Sequence, residues 1–170
     1  MAEVIYLVGH GHNNGENLSA AGVIDAERAR DQLRAKKLGR DVLLLSSVAE
    51  RALQTAEIIA QGLNTEVIAS PRILAGGNLP RGVESLDSWI EKSAEEVGHS
   101  VTSDKELVVV THLSMLTIAQ GLRRDQIRDV PYGKVYEYTP GSWKNSEYDP
   151  KSARNLEQYI EGLKQIISIV

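Results

Sequence analysis

Val4-Ile5-Tyr6-Leu7-Val8-Gly9-His10-Gly11-His12-Asn13-Asn14-Gly15 is the stretch on which the reading of this chain turns. Its first half is apolar at consecutive positions rather than at alternate ones. That pattern predicts a short strand buried on both faces, the kind found inside a parallel sheet. Glycine and asparagine then stop the strand and predict a loop at its C-terminal end. Two further runs read the same way. Asp41-Val42-Leu43-Leu44-Leu45 ends at Ser46-Ser47, and Leu107-Val108-Val109-Val110 ends at Thr111-His112. Glu66 to Ala69 is expected to be a shorter strand, and Val135 to Tyr138 alternates as an edge strand does.

Helical periodicity fills the spaces between these runs. Ser19 is placed to cap a helix reaching about Lys37, with Ala26, Ala29 and Leu33 on one face and Leu38-Gly39 closing it. Ala49 to Leu63 carries the stripe Leu53, Ala56, Ile59, Ala60 and Leu63. Further helices are expected from Glu84 to Val97, from Met115 to Leu122, and from Ser152 to the end, the last with Leu156, Tyr159, Ile160, Leu163 and Ile167 along one side. Ser70 to Val83, rich in glycine and proline, reads as a loop. Strands alternating with helices imply an α/β three-layer sandwich: a central, mostly parallel sheet flanked by helices. Residues 1–170 are expected to form a single domain.

Composition narrows the chemistry. The chain has 170 residues and a net charge of −4, which disfavours nucleic acid and anionic lipid as partners. It has no cysteine, so thiol catalysis, disulfides and thiolate metal sites are excluded. No signal peptide or membrane span is expected, and a cytoplasmic location is the simplest expectation.

Ligands of parallel sheets bind beyond the C-terminal strand ends. Two of the chain's four histidines, His10 and His112, stand at such ends, and Arg51 lies in the first turn of the helix after the second strand. Two imidazoles, a guanidinium fork and a helix N-terminus suit a phosphate group. An imidazole whose other nitrogen is held by a carbonyl can attack phosphorus. Taken singly, a histidine after a strand reads better as a hydrogen-bonded turn residue than as a catalytic one. Two near-adjacent histidines at positions 10 and 12, without a carboxylate cluster, do not make a metal site.

Four motifs together resemble the histidine phosphatase (phosphoglycerate-mutase-like) superfamily. Tyr6-Leu7-Val8-Gly9-His10-Gly11 is similar to its Arg-His-Gly strand end, and Leu18-Ser19-Ala20-Ala21-Gly22 to its Leu-Thr-x-x-Gly helix start. Ser46-Ser47-x-x-x-Arg51-Ala52-x-Gln54-Thr55-Ala56-Glu57 resembles its second signature, and Val108-Val109-Val110-Thr111-His112-Leu113 the strand bearing its second histidine. Size and the Thr-His-Leu form resemble the short phosphohistidine-phosphatase branch most. The resemblance implies that His10 is the nucleophile and that Arg51 clamps the phosphoryl oxygens. It implies that His112 stabilises their charge, that Asn17 is a further phosphate contact, and that no metal or cofactor is required. It gives Glu84 as the general acid by order in the chain, although Glu84 also reads as an ordinary helix N-terminal residue. The implied substrate is a phosphorylated small molecule or a phosphoprotein. A mutase fits less well, because the chain is short and lacks the arginine that would hold a substrate through two transfers.

Gly9 departs from the pattern, standing where the family has arginine. Loss of that charge-assisted hydrogen bond is expected to cost roughly 1.5–3 kcal/mol of phosphate binding. If the contact tightens in the transition state, the loss of rate is about 10²–10³. Three readings follow: a weakened phosphatase in which His12, Arg72 or Arg81 supplies the missing cation, an inactive pseudophosphatase that binds a phosphorylated ligand or protein, or a residue altered from the natural one. Gly9→Arg is expected to raise activity.

Overall fold

The computed structural model describes residues 4–38, 41–74, 82–121 and 130–169. The strands are β1 (Ile5–Gly9), β2 (Asn13–Asn14), β3 (Asn17–Leu18), β4 (Val42–Ser47), β5 (Val67–Ser70), β6 (Glu106–Thr111) and β7 (Val135–Tyr138). The helices are α1 (Ala20–Ala35), α2 (Glu50–Leu63), α3 (Pro71–Leu74), α4 (Leu86–Glu95), α5 (Leu113–Ala119) and α6 (Pro150–Ile169).

The main sheet has the order β5-β4-β6-β1-β7. The first four strands are parallel, and β7 runs antiparallel along the outer edge of β1. Register places Gly9 beside Thr111, Ser46 beside Val110 and Ser47 beside Ser70, so the C-terminal ends of β1, β6, β4 and β5 lie level. Consecutive apolar residues in β1, β4 and β6 feed opposite faces. Ile5, Leu7, Leu43, Leu45, Leu107 and Val109 pack under α4, α5 and α6. Val8, Leu44, Val108 and Val110 pack against Ala29 and Leu33 of α1 and Ala52, Ala56 and Ile59 of α2. Burial on both sides is what the unbroken apolar runs require.

Ser19 caps α1, its hydroxyl accepting from Gly22 N–H. Lys37 takes the left-handed conformation after α1 (φ 52°), and Gly39 lies outside the described residues. Three local features depart from expectation. A small antiparallel hairpin, β2 with β3, forms directly after the first strand end. The segment read as a loop from Ser70 begins instead with the end of β5 and the short helix α3. The apolar stripe of α6 is narrower than its spacing predicts: Leu156 and Ile160 are buried, but Tyr159 and Ile167 are exposed. None of the described helices is long and apolar enough to cross a membrane.

Candidate active site

β1, β6 and β4 with the start of α2 deliver His10, His112 and Arg51 to one point at the C-terminal edge of the sheet. His10 is buried, at 7% exposure. Its backbone N–H extends the sheet ladder to the Thr111 carbonyl at 2.9 Å. Its Nδ1 lies 2.8 Å from the Gly11 carbonyl, which can only accept, so Nδ1 carries the proton. Nε2 is then a lone pair, and it accepts from Arg51 Nε at 3.2 Å. The second guanidinium arm reaches toward His112 Nδ1 at 3.5 Å. With Nδ1 accepting, His112 Nε2–H donates to Ser47 Oγ at 3.0 Å, and the same oxygen accepts from Ala49 N–H at 3.2 Å. The two imidazoles meet edge to face, with centroids 5.3 Å apart.

Thr55 ties the two halves of this arrangement together. Its buried hydroxyl accepts from Gly11 N–H at 3.1 Å and donates to the Arg51 carbonyl at 2.8 Å. The loop after His10 and the helix bearing Arg51 therefore share one atom. The loop also presses on α1, where a Cβ on Gly22 would collide with the His12 carbonyl. Thr55 and Ser47 both sit inside the motif that carried the resemblance, but their bonds span sequence separations that spacing does not encode.

Both imidazoles are biased toward the neutral form. Burial lowers the pKa of His10, against the opposing bond to Gly11, and Arg51 lowers it further. His112 is pushed down to about 4, by burial first and then by His10 and Arg51. An unfolded imidazole titrates near 6.5, so between these values the unfolded chain binds more protons than the folded one. Stability therefore rises with pH through that window and is lost as pH falls. Lowering the pH from 7 to 5 in phosphate-free buffer is expected to cost on the order of 2 kcal/mol through His112 alone. Urea unfolding at the two pH values measures this loss. His112→Asn should remove most of it, and an unchanged slope in that variant would rule the assignment out.

The other expected site residues are placed differently. Asn17 Oδ1 accepts from Gln54 Nε2 at 2.9 Å, and Gln54 Oε1 accepts from Leu18 N–H at 2.8 Å. Asn17 is thus moored to α2 one turn beyond Arg51. Glu84 precedes Ser85, the actual cap of α4, and lines a separate cleft of about 560 Å³ with Arg72, Ser88, Trp89, Lys92 and Glu157. His10, Arg51 and His112 do not line that cleft. Arg72 does not replace the missing cation. It is buried between Glu96 and Glu157, with its guanidinium 5.3 Å from the centre of the Trp89 ring. Arg81 lies outside the described residues. His12 is near the pocket, its Nδ1 bonded to Ser19 Oγ at 2.7 Å. At Gly9 a Cβ would lie 2.6 Å from Leu113 Cδ2, so the leucine after the second histidine occupies the room where a side chain would start. Among the described residues no group of three His, Cys, Asp or Glu could hold a metal ion.

Comparisons with known proteins bear on the sequence pattern and on the fold. Residues 5–74 match the sequence model of the Histidine phosphatase superfamily (branch 1). No curated protein sequence matches the chain significantly. Among solved structures, one assigned as the phosphohistidine phosphatase SixA from Agrobacterium tumefaciens superposes with a TM-score of 0.51 at 18% identity, covering 81% of this chain and 91% of its own. Mycobacterial hydrolase 1 gives 0.51 at 16% identity, covering 83% and 92%. A protein assigned as an α-ribazole-5'-P phosphatase from Escherichia coli gives 0.50 at 16% identity, covering 87% and 98%. At such identities the structures bear on the fold alone, and that fold is the phosphoglycerate-mutase-like one. Residues 5–74 thus carry the sequence pattern of the histidine phosphatase superfamily, and the chain has the phosphoglycerate-mutase-like fold.

Proposed function

We propose that the chain is a metal-independent phosphatase acting on a phosphomonoester or phosphoramidate through a phosphohistidine on His10. The observation that carries this reading is the state of Arg51. Among the described residues no carboxylate pairs with it, and its donors face only two imidazoles that are both biased toward neutrality. A half-buried cation so placed is completed by an anion.

The chemistry follows from the tautomer. The lone pair of His10 Nε2 attacks phosphorus, and the bond from phosphorus to the leaving oxygen or nitrogen breaks. The leaving group takes a proton from solvent, while His10 keeps its Nδ1 proton on the Gly11 carbonyl and carries the positive charge of the phosphorylated ring. Water then bonds to phosphorus, the N–P electron pair returns to Nε2, and phosphate is released. Arg51 donates to the phosphoryl oxygens throughout. His112, whose pKa is lowered by burial and then by His10 and Arg51, gains a partner for a second proton when a dianion arrives. A cytoplasmic phosphorylated small molecule or phosphoprotein is the substrate in this reading.

Gly9 with Leu113 favours a second reading, a pocket that binds phosphate without turning it over. Rapid acid-free quenching with a labelled aryl phosphate separates the two. The phosphatase reading expects label on His10 that survives alkali and is lost in acid. Tight phosphate binding without any such label would establish the binder instead.

A further inference from the structure

Tyr132 stands in the turn Pro131-Tyr132-Gly133-Lys134 that leads into β7, and its ring touches two histidines. Its centroid is 6.2 Å from that of His10, with the planes tilted by 41°. It is 5.7 Å from that of His12, edge to face at 81°. Aromatic rings attract one another at such separations.

The turn is anchored to α1. Gln32 donates to the Gly133 carbonyl at 2.7 Å and accepts from Val135 N–H at 3.2 Å. Gly133 adopts a φ of 73°, and a Cβ there would lie 2.7 Å from the Asp25 carbonyl oxygen, so only glycine lets the turn approach so closely. Asp25 also accepts from His12 N–H at 3.0 Å. The Ser19 hydroxyl donates to the His12 carbonyl, which leaves its oxygen to accept His12 Nδ1–H. One helix therefore braces both His12 and the Tyr132 turn. Tyr132 itself is half-buried and belongs to neither apolar core. Core packing does not account for an aromatic ring held this way.

We propose that Tyr132, backed by His12, is the specificity wall of the pocket, and that it selects phosphoryl donors whose leaving group is an aromatic ring over those with an alkyl one. This rests on His10, Arg51 and His112 being the phosphate pocket. In an in-line displacement the leaving group departs on the far side of phosphorus from Nε2, so its substituent lies along the pocket rim. A flat ring there gains quadrupole and dispersion contacts with Tyr132 that an alkyl chain does not. Aromatic leaving groups also depart without strong proton donation. That agrees with a cluster in which, among the described residues, no carboxylate bonds to His10, Arg51 or His112.

Calorimetric binding of phenylphosphonate and methylphosphonate, neither of which can be hydrolysed, tests the proposal without needing turnover. The wild type and Tyr132→Phe are expected to prefer the phenyl compound by about tenfold, the range of one aromatic pair. Tyr132→Leu, which keeps bulk but loses the aromatic face, should cut that preference to about twofold. An undiminished preference in Tyr132→Leu overturns the proposal. In the wild type, ring protons of bound phenylphosphonate are expected to show nuclear Overhauser contacts to Tyr132, and their absence overturns it independently of any variant. Failure of the wild type to bind either phosphonate is a different outcome: it removes the phosphate-pocket reading and this inference with it.

Discussion

His10→Ala is expected to reduce turnover of para-nitrophenyl phosphate to at most about a ten-thousandth of the wild-type rate, because in the proposed mechanism it removes the atom that forms the covalent intermediate. The wild-type reaction should run unchanged in chelator, since in the proposed mechanism cationic side chains take the place of a metal. Arg51→Ala is expected to lose less, about 10²–10³-fold, the range for removing one preorganised charged donor. The order of the two effects carries the information. Arg51 donates to the same Nε2 that His10 uses for attack, so its loss leaves the nucleophile in place with its Gly11 bond intact. Turnover that survives in His10→Ala would refute the mechanism, whatever Arg51→Ala does. Neither variant should unfold the domain, because neither side chain belongs to either apolar core.

The second large effect concerns Gly9 and Leu113 as a pair. Sequence reasoning alone expects Gly9→Arg to raise activity by restoring a guanidinium. The structure adds a condition, because Leu113 Cδ2 occupies the room at 2.6 Å from where the new Cβ would stand. The leucine end is flexible enough to move, but an arginine stem must then compete with it for the path to the phosphate. Gly9→Arg alone is therefore expected to gain less than about tenfold in kcat/KM, while Gly9→Arg with Leu113→Ala gains about 10²-fold. Leu113→Ala alone should change little. The four proteins form a double-mutant cycle, and the non-additivity is the measurement. A single Gly9→Arg variant as active as the double one would show that Leu113 does not control the position. No gain in either, beside an inactive wild type, would favour the binder.

Much of the site was legible before any coordinates, and the reason is topological. A parallel strand, its crossover helix and the next strand can be joined in one hand only, so residues just after each strand must gather at one edge. His10, Arg51 and His112 follow three such strands, and they meet. Ser19 was legible as a cap because a cap is local, depending on its own residue and the next three. Glu84 shows where order in the chain fails. It lies in the right segment, yet it lines a cleft beside Arg72 and Trp89 rather than the histidine cluster. Arg72 failed for a related reason. Its partners, Glu96 and Glu157, are 24 and 85 residues away, and nothing near Arg72 announces them.

The amino-acid sequence by itself determined the layered α/β build, the parallel core strands and the convergence of two histidines with one arginine. All three follow from local periodicity plus the handedness of crossovers. Tertiary structure alone decided which nitrogen of His10 is free, that Ser47 and Thr55 hold the cluster, that Leu113 fills the room beside Gly9, and that Tyr132 leans on His10. Each of these depends on contacts between side chains whose separation along the chain is unrelated to their separation in space. Close packing settles such contacts only after every strand and helix is in place.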